Sequence, residues 1–113
     1  MYVAIDLREF PPVVALEEPD DCTRLHLAVV GTVPSLDADG YRLVYAALID
    51  AAAGSLEDGH GRLAIDALRR LARGRVADGW DDRFDAMLGD ARTRGWIDPD
   101  QTSLQAHLEY TGG

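Results

Sequence analysis

The segment Ser103 to Tyr110 carries the cleanest two-residue alternation in the chain. Leu104, Ala106, Leu108 and Tyr110 fall on one side, and Ser103, Gln105, His107 and Glu109 on the other. A strand patterned this way has one apolar and one polar face, so it belongs to a sheet that is buried on one side only. The rest of the chain must then supply the layer that covers the apolar side.

The opening residues repeat the pattern. Val3, Ile5 and Leu7 lie on one side and Asp6 and Arg8 on the other, and Val13 to Leu16 extends or repeats this strand beyond Pro11-Pro12. Leu25 to Val33 reads as the next strand, with Leu25, Leu27 and Val29 on one face and His26, Ala28 and Val30 on the other. From Leu36 to Ala53 the period changes, because Tyr41, Val44, Tyr45, Leu48, Ile49 and Ala52 recur at helical spacing. Ser35 or Asp37 suits the N-cap of that helix, and Gly54 its end. Leu63-Ala64-Ile65 is a short strand candidate. A short helix capped by Asp66 follows and runs through Arg73. The last helix carries the stripe Trp80, Phe84, Met87, Leu88 and Ala91, with Asp78 placed as N-cap, Asp81 at N3 and Gly95 closing it.

These elements predict one α+β domain over residues 1–113 in the order β-β-α-β-α-α-β. The expected architecture is a two-layer sandwich, with a mostly antiparallel sheet of about four strands and three helices on one face. A chain of 113 residues is long enough to fold alone around one core.

Composition narrows the function. All eleven basic residues are Arg, so lysine Schiff-base chemistry and a P-loop are excluded. A net charge of −9 disfavours nucleic acid and anionic membranes as partners. Only Arg69, Arg70, Arg73 and Arg75 cluster, and a solvated helix face accounts for them. No apolar run approaches the roughly 18 to 20 residues that cross a bilayer. The chain opens as a strand rather than as a basic and then apolar leader, so a cytoplasmic location is expected. Cys22, the single cysteine, admits no internal disulfide. Asp20 and Asp21 beside it oppose thiolate formation, which reads as a spectator thiol.

Two places carry candidate chemistry. If helices cover the apolar sheet face, the other face collects Asp6 and Arg8, Arg24 and His26, and Gln105, His107 and Glu109. Imidazole with carboxylate is the composition of an acid-base or metal site, and equally of a solvated or dimer-forming face. His26 meets His107 only if their strands are neighbours. The second place is Glu57-Asp58-Gly59-His60-Gly61-Arg62, where Glu57 and His60 supply a base and its partner, while Asp58-Gly59 is equally a turn. His60 has no histidine at metal-ligand spacing and no dinucleotide-binding glycine pattern follows, so no metal and no organic cofactor is expected. Trp80 and Trp96 bracket the last helix as core aromatics or as a ligand-stacking pair. Two functions remain open. One is an accessory or regulatory protein that binds a protein or small ligand, as a homodimer through the open sheet face. The other is a small cofactor-independent isomerase, lyase or hydrolase that works by His/carboxylate acid-base catalysis through His60 and Glu57, or through His26, His107 and Glu109.

Overall fold

The computed structural model describes residues 1–31, 37–57 and 60–111. Ser35, Asp58 and Gly59 lie outside them. The strands are β1 Tyr2–Asp6, β2 Val13–Glu17, β3 His26–Val30, β4 Gly54–Glu57, β5 His60–Ala64 and β6 Ser103–Thr111. The helices are α1 Ala38–Asp50, α2 Ile65–Ala72 and α3 Trp80–Thr93. No described helix is long and apolar enough to cross a membrane.

The α+β class and the three helices agree with the sequence reading; the sheet does not. It has six strands in the order β2-β1-β3-β6-β5-β4, not about four. The two additional strands come from a segment read as extending or repeating the first strand and from one read as a connector. Val13–Glu17 turns back after the prolines and pairs antiparallel with β1, and the stretch from Gly54 to Ala64 splits into the antiparallel pair β4 and β5. The sheet is also mixed, because β1 pairs parallel to β3 and β3 parallel to β6. Alternation reports which face is buried, and it carries no information about the direction of the neighbouring strand.

One helix start agrees with the sequence reading and two differ. Asp37 caps α1, its carboxylate accepting from Gly40 N at 2.7 Å. α2 begins at Ile65, so Asp66 lies in its first turn rather than at its cap. Gly79, not Asp78, is the N-cap of α3, with φ of 83° in the left-handed region that glycine tolerates best. The Asp78 carbonyl instead accepts from the Arg83 guanidinium at 3.1 Å.

The sheet curls. α1 touches both β2 and β4, and α2 touches both β2 and β5, although those strands are far apart in the sheet order. The hollow side holds the core, where Val3, Ile5, Leu16, Leu27, Val29, Leu63 and Leu104 meet Val44, Leu48, Leu68 and Phe84, all essentially inaccessible. Gly61 belongs to this side, and a Cβ there would come within 2.7 Å of Leu27 Cδ2. Gly54 is needed for a different reason. Its φ is 152°, and a Cβ would land on the Arg62 carbonyl oxygen of the neighbouring strand.

α3 is anchored to the segment that leads into β3. Trp80 Nε1 donates to the Pro19 carbonyl at 2.6 Å, and Asp20 accepts from Ala77 N and pairs with Arg83 at 3.0 Å. Trp80 is buried and stacks on Phe84, so it is a core aromatic. Arg69 lies over the same Phe84 ring and bridges Asp85 and Asp81. Arg70 donates to the Ala51 carbonyl at 2.8 Å, and Arg73 and Arg75 are exposed.

Candidate functional site

Register places every histidine of the chain in one line. Glu17 of β2 pairs with Tyr2 of β1, Tyr2 with His26 of β3, His26 with His107 of β6, His107 with His60 of β5, and His60 with Glu57 of β4. Partners in register project to the same side of a sheet. Six residues from six strands therefore form a row across the face opposite the core. Four of the five candidate residues, His60, Glu57, His107 and His26, lie on it, and Glu109 stands two residues from His107 on the same face.

The row contains two histidine-carboxylate pairs. His60 Nε2 lies 2.9 Å from Glu57 Oε2, and Arg62 Nε approaches the other Glu57 oxygen at 3.8 Å. His26 Nε2 lies 3.1 Å from Glu109 Oε2. A carboxylate only accepts, so in each neutral ring Nε2 carries the proton and Nδ1 keeps its lone pair. His26 is also stacked on Tyr2, with centroids 4.8 Å apart and planes within 15°. Burial pushes its pKa below the ordinary 6.5, and the opposing pull of Glu109 does not restore it. The His26 contact is thus a hydrogen bond from a neutral imidazole at neutral pH rather than an ion pair.

Strands stand about 4.8 Å apart, so the first and third histidines of the row are separated by roughly twice that distance. The imidazoles line up rather than converge. Among the described residues, no group of three or more His, Cys, Asp or Glu is placed to hold a metal ion.

A cleft of about 470 Å³ opens at one end of the row, and its floor includes His60 and His107. Register explains it. β3 begins at His26, opposite His107, whereas β6 begins four residues earlier, at Ser103. On that vacant flank of β6, Trp96 accepts from Gln105 N at 2.7 Å and Ile97 bridges Leu104. Residues 23–25 diverge on the other side. Between the two lies the opening, walled by Thr23, Arg24 and Leu25 on one side and by Met87, Asp90, Ala91 and Arg94 of α3 with Trp96 on the other. Arg94 Nε pairs with Asp90 at 3.0 Å, and its guanidinium lies 5.1 Å over the Trp96 ring. Arg24 is exposed and has no hydrogen bond or ion pair among the described residues.

Asp98 fixes the turn that delivers β6. Desolvation pushes its carboxyl up, but hydrogen bonds from the backbone and hydroxyls of Ser103 and Thr102 outweigh this and hold it at about 2. Cys22 is partly buried, and burial above all raises its thiol pKa, with the charges of Asp20 and Asp21 adding to that direction. It lies outside the cleft.

The chain matches no known protein family, no curated protein and no solved structure. The reading of the site therefore rests on its geometry. Trp96 and Arg24 were visible in the sequence as an aromatic at a helix end and a strand-edge charge. Arg94, Asp90 and Met87 carried no signal of their own, because a helix stripe and a helix dipole already accounted for them.

Proposed function

We propose that the cleft is an acid-base site, and that the protein is a small enzyme of the isomerase, lyase or hydrolase kind. The observation that carries this reading is that His60, held by Glu57 at 2.9 Å, lines a concave cavity together with His107. An imidazole oriented by a carboxylate is a general base whose proton-accepting nitrogen has been selected by its partner. A volume of about 470 Å³ lies within the usual range for small-molecule sites. His60 takes the role of base, Glu57 positions it, and His107 stands next in line to donate a proton.

The test is turnover of a panel of small organic acids and esters, followed by NMR in D₂O for exchange, isomerisation or hydrolysis. His60→Gln is expected to slow the reacting compound about 100-fold or more, the span of general acid-base catalysis, whereas His26→Gln leaves it within a few-fold. Equal rates in wild type and His60→Gln would remove the acid-base reading. A compound that binds without reacting would return the protein to the class of ligand-binding accessory factors. Light scattering addresses the separate proposal that copies pair through the face bearing the row.

A further inference from the structure

We infer that the ligand of this cleft is a small monocarboxylate with an apolar or aromatic body, its carboxylate anchored by Arg24. The inference rests on the reading of the cleft as the substrate site and adds the class of molecule that enters it.

Charge gives the first argument. Three ionised side chains line the cavity, Arg24, Arg94 and Asp90, and the last two neutralise each other through their 3.0 Å contact. Arg24 remains, exposed at the wall, with no hydrogen bond or ion pair within 4 Å among the described residues and with Asp21 close enough to feel its charge. On a protein of net charge −9, a guanidinium at a cavity mouth with no hydrogen bond of its own among the described residues is a local positive centre. Its planar fork matches a carboxylate through two parallel hydrogen bonds.

The second argument limits that charge to one. The α3 residues in the wall, Met87 to Arg94, are the C-terminal half of the helix, whose unpaired carbonyls present the negative end of the dipole. Among the described residues, neither a helix N-terminus nor a second cation without an ion-pair partner lines the cavity, so the arrangement offers a phosphate dianion one guanidinium set against an opposing field. A monoanion is matched, and a dianion is not.

The third argument concerns the body of the ligand. Leu25, Met87, Ala91 and Leu104 supply apolar wall, and Trp96 presents an indole that is 41% exposed. An exposed indole at a cavity wall is a stacking surface for a flat or aliphatic group. Gln105 adds one neutral polar contact, and His60 and His107 lie at the far side, toward the row.

The experiment is calorimetric titration of the full chain with benzoate, hexanoate, phenyl phosphate and benzamide, paired with NMR of the two indole N–H signals. Benzoate or hexanoate is expected to bind and to shift the Trp96 signal while the buried Trp80 signal stays in place; phenyl phosphate and benzamide are expected to bind at least about tenfold more weakly. Arg24→Gln should weaken carboxylate binding by a similar factor, Arg24→Lys should restore part of it, and His26→Gln, outside the cavity lining, should leave it within a few-fold. The inference is overturned if neither carboxylate binds, if benzamide or phenyl phosphate binds as well as benzoate, or if Arg24→Gln binds like wild type. None of those results touches the role of His60, which is read by turnover. Conversely, carboxylate binding that needs Arg24, in a protein whose His60→Gln variant reacts as fast as wild type, would support the ligand class while removing the catalytic reading.

Discussion

The two histidine-carboxylate pairs of the sheet face are nearly the same chemical object in two settings. His26 and Glu109 sit at the centre of the sheet, with a tyrosine ring stacked on the imidazole and burial holding it neutral. His60 and Glu57 sit near the sheet edge, on adjoining strands of an antiparallel pair, with the imidazole at the floor of a cleft. The contact lengths differ by only 0.2 Å, from 3.1 Å to 2.9 Å. What separates the pairs is what stands beside them. The two imidazoles are about equally exposed, at 22% and 26%, but the central one carries the Tyr2 ring and the outer one lines the cleft. A histidine with a glutamate partner is thus not in itself a site; the cleft beside the outer pair is what the proposed reading rests on.

The most drastic way to break the comparison is to remove the outer pair's support. Gly54→Ala puts a Cβ on the Arg62 carbonyl oxygen at a backbone angle that glycine alone adopts easily. The strand that carries Glu57 must move or detach from β5. A loss of about 3 kcal/mol or more is expected in urea unfolding, the upper range for overpacking plus backbone strain. The central pair should survive in the folded fraction, with the Tyr2 and His26 ring signals unshifted. A loss under about 1 kcal/mol would mean that β4 is not held against β5 as described.

Next in size is the contrast in turnover between His60→Gln and His26→Gln, about 100-fold against a few-fold. If the two variants lose activity equally, the row acts as one unit and the distinction between its ends fails.

Asp98→Ala is expected to act on one end of the row only. The carboxylate caps the start of β6 through Thr102 and Ser103, near the cleft, and is remote in sequence from Glu109. Because its folded pKa of about 2 lies below the ordinary 3.8, it contributes stability that is complete above pH 3.8 and is lost as the pH falls toward 2. The variant should melt at lower temperature at neutral pH and show a flatter acid limb. Coincident acid limbs for wild type and variant would argue against the cap.

How much of this could be read from the sequence follows from which forces are local. One-sided burial was legible in β6, because Leu104 and Ala106 alternate with Gln105 and His107 whatever their neighbours are. The helices were legible for the same reason, though not their caps, since Gly79 and Ala64 stand where the chain's path, rather than a side chain, sets the start. Strand order was not legible. Nothing in Leu25 to Val30 states that His26 will align with His107 and leave the first residues of β6 without β3 beside them. The cleft is a product of that offset, so Arg24 and Arg94 acquired their shared setting only once the register was known.

The smallest expected effect concerns the central pair alone. Burial lowers the His26 pKa in the folded protein. Glu109 pulls the other way, and the amino terminus, Arg24 and His107 add to the lowering. The unfolded chain therefore binds more protons than the folded one as the pH drops through 6.5, and stability must fall with it. This contribution is complete above that pH, declines below it, and stops changing once the folded imidazole titrates too. His26→Gln keeps a side chain able to donate to Glu109 and removes the titration. Its unfolding free energy should be close to wild type above pH 7, where the imidazole is neutral, and should exceed it most near pH 5, so its pH slope is the flatter of the two. Matching slopes in the two proteins would show that burial does not shift the His26 imidazole.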